Sequence, residues 1–143
     1  MPGRGTSINN VKLASVPRMN FVTAPIRILV VEDDALIRFD AGDMLRAAGF
    51  DVLEAANADE AIFLLERHSD IRLVFTDIDM PGSMNGLKLA AAVRDRWPPV
   101  KIIATSGHFT VQHGDFPADA RFISKPYQSA QIVNSIRELI DAA

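Results

Sequence analysis

A chain of 143 residues, 48% of them apolar, is long enough to bury one core and too apolar to be disordered. It contains no cysteine, which excludes disulfides, thiolate metal centres and cysteine nucleophiles. Its formal charge of −3 is uneven: residues 1–24 hold Arg4, Lys12 and Arg18 and no acid, so the remainder carries the wrong sign for gripping a nucleic-acid backbone.

Residues 1–24 read as a flexible basic tail, with Met19 a candidate true start, ahead of one domain over residues 25–143. No apolar run is long enough to cross a bilayer, and the N-terminus lacks the layout of a secretory signal. The expectation is a cytoplasmic protein with neither a membrane nor a nucleic-acid partner.

The first strand is the β-branched run Ile26–Val31, followed at once by Glu32, Asp33 and Asp34. Leu36, Ile37, Ala41, Met44, Leu45 and Ala48 then recur at helical spacing up to Gly49, which predicts a helix over Asp34–Ala48 with Gly49 as its stop. Phe50–Ala55 is a second, shorter strand. Asn57, with Glu60 three residues on, has the form of a capping box opening a helix over Ala58–Arg67.

Ile71–Thr76 is the third strand, and Asp77, Asp79 and the turn Met80-Pro81-Gly82 follow it. A helix over Gly86–Arg96, with Leu87, Ala90 and Val93 on one face, stops at Trp97-Pro98-Pro99. Lys101–Thr105 and Ala120–Ser124 are the fourth and fifth strands. Tyr127–Ala142 is a last helix striped by Ile132, Val133, Ile136, Leu139 and Ile140. Between Gly107 and Ala120, where alternation calls for a helix, Gly114 and Pro117 leave room for little more than a turn. Strands alternating with helices specify a doubly wound parallel sheet.

In such a sheet ligands bind beyond the carboxyl ends of the strands. Glu32 and Asp33 follow the first strand, Asp77 the third, Thr105 closes the fourth and Lys125 follows the fifth. Taken singly, each has an ordinary explanation as a helix cap, a turn former or a solvated cation. Together, three carboxylates in one crevice repel one another unless a cation compensates them. Mg²⁺ takes oxygen ligands and is held by one or two carboxylates plus a phosphoryl oxygen. Lys125 suits a phosphoryl oxygen as a point charge, and the Thr105 hydroxyl can donate to another. Asp77 is then the natural nucleophile, forming an aspartyl phosphate.

The segments ILVVEDDALIR, FTDIDMPG, NGL, IIATSGH and FISKPY resemble the receiver domain of two-component response regulators, from about Ile26 to the C-terminus and in the family's order. The resemblance implies a flavodoxin-like five-stranded parallel sheet of order 2-1-3-4-5, here with a shortened fourth helix. It implies that Asp77 accepts phosphate from a sensor histidine kinase or a histidine phosphotransfer protein. It implies that Asp33, Asp77, the backbone carbonyl of Asp79 and, often through water, Glu32 hold Mg²⁺. Thr105 and Lys125 would contact the phosphoryl group, and the Lys125–Pro126 bond would be cis. Phe122 corresponds to the aromatic that moves with Thr105 as a switch, although a plain core role suits it equally.

Two features depart from the family. The loop after Asp77 has an extra residue before Gly86, and the eroded fourth helix puts a standard output face in doubt. Asp79 and Gly107 occupy positions where the family tunes hydrolysis. His68, His108 and His113 lack ligand spacing, and Trp97 suits packing at a helix end.

The expectation is a stand-alone receiver, not an enzyme beyond its own phosphorylation and dephosphorylation, with output through contacts to a target protein. The alternative is a haloacid dehalogenase-like phosphatase, whose nucleophile motif DxD is matched by Asp77 and Asp79. Acids placed before the nucleophile and the lack of a cap insertion oppose it. A third reading is an interaction module indifferent to phosphate.

Overall fold

The structure, a computed structural model, describes residues 24–80, 84–107 and 120–141. The basic leader before residue 24, the turn residues 81–83, the segment 108–119, where the shortened fourth helix is expected and where His108 and His113 fall, and residues 142–143 lie outside the described residues.

The elements are β1 (Arg27–Val31), α1 (Ala35–Ala47), β2 (Asp51–Ala55), α2 (Ala58–Arg67), β3 (Ile71–Asp77), α3 (Gly86–Arg96), β4 (Lys101–Ser106), β5 (Arg121–Ser124) and α4 (Ser129–Asp141). The five strands form one sheet of order β2-β1-β3-β4-β5, every neighbouring pair parallel. This is the expected doubly wound order.

Side chains of successive strand residues point to opposite faces, so the sheet has two cores. Ile28, Val30, Leu73, Phe75 and Ile103 pack on one face against Leu45 of α1 and Ile132, Ile136 and Ile140 of α4. Leu29, Val31, Val74 and Ile102 pack on the other against Ala61 and Leu65 of α2 and Leu89, Ala90 and Val93 of α3. Leu45, Ile103 and Ile136 are completely buried, each contributing about 1.5–3 kcal/mol.

Local chemistry sets the helix ends. Asp34 caps α1, its Oδ1 accepting from the N–H groups of Leu36 (2.9 Å) and Ile37 (3.1 Å). Gly49 beyond the helix has φ +98°, a conformation that glycine adopts without strain. Asn57 accepts from Glu60 N–H at 2.8 Å, but the returning arm of the capping box reaches Ala56 N–H, not that of Asn57. Asn85 caps α3, accepting from Lys88 N–H at 3.0 Å.

Three sequence expectations are corrected. Leu36 and Ile37, assigned to the apolar stripe of the first helix, are 61% and 43% exposed. The buried line on α1 runs through Ala41 and Leu45 and, one turn earlier, reaches Arg38. On α3 it is Leu89, not Leu87, that is buried with Ala90 and Val93. The last helix begins at Ser129, because the Tyr127 ring turns in against Phe75 (centroids 5.8 Å apart) and the Gln128 carbonyl takes the first helical bonds. Trp97 does end α3, packed on the second core with Arg96 4.4 Å above its ring. His68 closes α2 and meets Arg27 at 3.3 Å.

Candidate functional site

The strand register decides what meets at the carboxyl edge of the sheet. β3 and β4 place Asp77 opposite Thr105. The next N–H, that of Ile78, donates to the Thr105 carbonyl at 2.9 Å, so the two strand ends stay paired to the lip of the crevice. On the other side of β3, β1 ends at Val31 opposite Thr76 and delivers Glu32 and Asp33 to the same lip. The Glu32 N–H donates to the Ala55 carbonyl at 3.0 Å, tying this turn to β2.

Glu32, Asp33 and Asp77 each present a carboxylate oxygen within 4.8 Å of the others. Glu32 and Asp77 are buried, at 5% and 7% exposure, and Asp33 faces solvent. Burial above all, with the side chain of Asp33 and the charge of Asp77, pushes the Glu32 carboxyl up to about 7, against the pull of Asp34 N–H and Lys125. An oxygen-only, strongly negative donor set of this kind fits a hard divalent cation.

Lys125 is the counter-charge. Its backbone N–H donates to the Ser106 carbonyl at 3.0 Å and the bond to Pro126 is cis. Its Nζ lies 3.4 Å from Asp77 Oδ2 and 3.7 Å from Glu32 Oε1. Asp77 Oδ1 accepts from the Asp79 N–H at 3.2 Å. Thr105, 3% exposed, lines the pocket with Glu32, Asp77, Lys125, Phe75 and Tyr127.

Six of the seven residues singled out from the sequence therefore gather at this crevice. Asp79 enters by its backbone; its carboxylate is engaged instead by the Ser106 hydroxyl, which donates to Oδ2 at 2.7 Å. The seventh, Phe122, is half-buried beside Ala104 in the β4–β5 register.

Sequence reasoning missed Ser106 and Tyr127. The Tyr127 phenol is held above its ordinary range by burial, then by the charges of Glu32, Asp77 and Asp40, so it stays protonated. Its place directly after Lys-Pro was the available signal, but periodicity assigned it to a helix. Nothing in the spacing of Ser106 and Asp79 announces their contact, which depends on how the loop after β3 folds back.

Known proteins resemble this chain in sequence and in fold. The chain matches the response regulator receiver domain over residues 28–137. It is 34% identical, across 82% of its length, to the response regulator receiver protein CpdR of Brucella abortus, and spans 98% of that protein. It is 28% identical, across 91% of its length, to the sensor kinase CckA of the same organism, but spans only 14% of that kinase. Among solved structures, a response regulator receiver protein from Sinorhizobium medicae superposes with a TM-score of 0.77 at 28% identity, covering 82% of this chain and 96% of that one.

Proposed function

This chain belongs to the response regulator receiver family, and on that premise we propose that Asp77 is its phosphoacceptor in two-component signalling. The observation that carries the reading is the juxtaposition of Asp77 with two further acids and with Lys125 Nζ at 3.4 Å. Glu32, Asp33, Asp77 and the Asp79 carbonyl would hold Mg²⁺, which when bound offsets the negative charge of an incoming phosphoryl group.

The chain's own groups do the rest. The Asp77 carboxylate, poised between Lys125 and the Asp79 N–H, bonds to phosphorus. The phosphorus–nitrogen bond of a phosphohistidine breaks, and its electron pair stays with the imidazole. Lys125 and the Thr105 hydroxyl supply a cation and a donor for the phosphoryl oxygens. In the reverse duty a water oxygen bonds to phosphorus and the Asp77 carboxylate leaves. The donor is a sensor histidine kinase or a histidine phosphotransfer protein, and the output is a change of protein contacts in the cytoplasm, relayed through Thr105 and Phe122. Among the described residues, no helix is long and apolar enough to cross a membrane.

The phosphatase alternative is not supported. The family matched is that of receivers, the acids grouped with Asp77 are those preceding it, and the Asp79 carboxylate is tied to Ser106.

Incubation with phosphoramidate and Mg²⁺ tests the reading. The expected result is one added phosphoryl group by intact mass, absent when a chelator removes the metal. No addition, or addition unaffected by chelation, contradicts it.

A pH dependence follows from Glu32. In the unfolded chain its carboxyl loses its proton near 4.5, whereas in the folded one it holds it to about 7. The metal-free fold thus binds the extra proton and is favoured below the unfolded value. That advantage fades as pH rises toward 7 and is gone above it. Magnesium has to displace the same proton, so its Kd should rise, by up to about tenfold per unit, as pH falls below 7. Calorimetric titration at pH 6 and pH 8 checks this; equal affinities would contradict it.

A further inference from the structure

We propose that Arg38 is a positioning residue for the metal site: it fixes the backbone of the Glu32–Asp33 turn so that both carboxylates face Asp77. The proposal rests on the magnesium reading given above and adds a residue outside the acidic cluster.

Arg38 stands on α1 in line with the buried Ala41 and Leu45, where an apolar side chain would serve the core. Its side chain is only 15% exposed. The guanidinium lies 5.3 Å from the exposed Phe39 ring and makes two polar contacts. Nη1 donates to the Glu32 carbonyl oxygen at 2.8 Å, and Nε faces Glu54 Oε1 at 3.5 Å. Glu54, on β2, is itself held on its other oxygen by Arg46 Nη2 at 3.0 Å, and Arg46 also reaches the Val52 carbonyl. Room for this carboxylate against α1 exists because residue 42 is glycine: a Cβ there would lie 2.8 Å from Glu54 Oε2.

The consequence falls on Glu32. Its N–H is bound to the Ala55 carbonyl of β2 directly. Its carbonyl is bound to β2 as well, through Arg38 and Glu54. Its carboxylate accepts from the Asp34 N–H at 3.1 Å. With both ends of the residue fixed, the peptide leading into Asp33 has one orientation. Without Arg38 the carbonyl loses its partner and that peptide is free to turn. Groups that orient metal ligands in this way alter affinity by about 10–100-fold.

Charge and position make opposite predictions, which gives the test its edge. If Arg38 acted only as a cation near an acidic cluster, its removal would leave the site more negative and tighten magnesium binding. If it positions the turn, removal weakens binding.

The experiment measures the Mg²⁺ Kd by calorimetry, and the rate of phosphorylation by phosphoramidate against magnesium concentration, for the wild-type chain, Arg38→Met and Arg38→Lys. Methionine keeps the buried stem and loses every donor. Lysine keeps the charge and a single donor nitrogen but not the planar fork. The expected result is a Kd and a half-saturating magnesium concentration about tenfold higher in Arg38→Met, with the rate at saturating metal within about twofold of wild type. Arg38→Lys should lie between, and that rise alone sustains the proposal if the methionine variant does not fold. An unchanged or tighter Kd in the folded variants overturns the role of Arg38 and leaves the site reading intact. No magnesium binding by the wild-type chain overturns the site reading, and this role with it.

Discussion

Asp77→Asn abolishes phosphorylation by a small phosphodonor while leaving the protein folded. The amide has the shape of the carboxylate but no negative oxygen to attack phosphorus, so the expected loss is at least a thousandfold, or about 4 kcal/mol of barrier. The fold should tolerate the change. Asp77 sits in a crevice with two other acids, and its charge is one cause of the raised carboxyl of Glu32. Removing that charge eases the repulsion, which offsets the lost pairing with Lys125. The Glu32 carboxyl should move back down toward its ordinary value, and magnesium should bind more weakly for want of one ligand. Intact mass after phosphoramidate treatment, with a thermal melt beside it, reads all but the titration and the magnesium affinity, which calorimetry reads. Undiminished phosphorylation of the variant would move the acceptor elsewhere.

Gly86→Ala is expected to be the most damaging single methyl in the described part of the molecule. A Cβ at this position would lie 2.2 Å from the Asp77 carbonyl oxygen, 2.6 Å from Ile78 Cα and 2.9 Å from the Asp77 carbonyl carbon. All three are backbone atoms at the end of β3, and the Gly86 N–H donates to the Ile78 carbonyl at 3.2 Å across the same approach. No flexible side chain can yield, so α3 must withdraw or the strand end must move. Overpacking of this kind costs about 3 kcal/mol, a fall of roughly 10 °C in melting temperature for a chain of this size. The strand end carries Asp77, so phosphorylation should slow as well. Gly49→Ala is the contrast: an added Cβ there meets nothing within 4 Å, although φ is +98°. It should cost only about 1–2 kcal/mol of backbone strain and leave phosphorylation unchanged. Equal melting temperatures for wild type and Gly86→Ala would contradict the close approach of α3 to β3.

These two positions differ in how readable they were. The β-branched runs that make the sheet, and the acids that end two of its strands, are visible because strand burial imposes continuous apolar segments and a charge directly after one stands out. That is why Glu32, Asp33, Asp77, Thr105 and Lys125 could be named before any geometry. Helix faces were harder. Leu36 and Ile37 satisfy helical spacing as well as Ala41 and Leu45 do, and only contact with the sheet decides which side is buried. Arg38 was invisible for the same reason: a charged residue in an amphipathic helix looks solvated until its guanidinium is seen on the Glu32 carbonyl. The Ser106–Asp79 contact and the inward turn of Tyr127 depend on loop paths that no periodicity records. Gly86 was legible as part of the loop motif, but the reason for a glycine there is a distance between backbones.

Phosphorylation of one side chain, Asp77, is the central event, and peptide mapping of the phosphorylated chain tests it most directly. After treatment with phosphoramidate and Mg²⁺, reduction with borohydride should convert the acyl phosphate of Asp77 to homoserine, within the β3 peptide and nowhere else. A modified peptide that lacks Asp77, or a chain in which no aspartate is converted, would contradict the account.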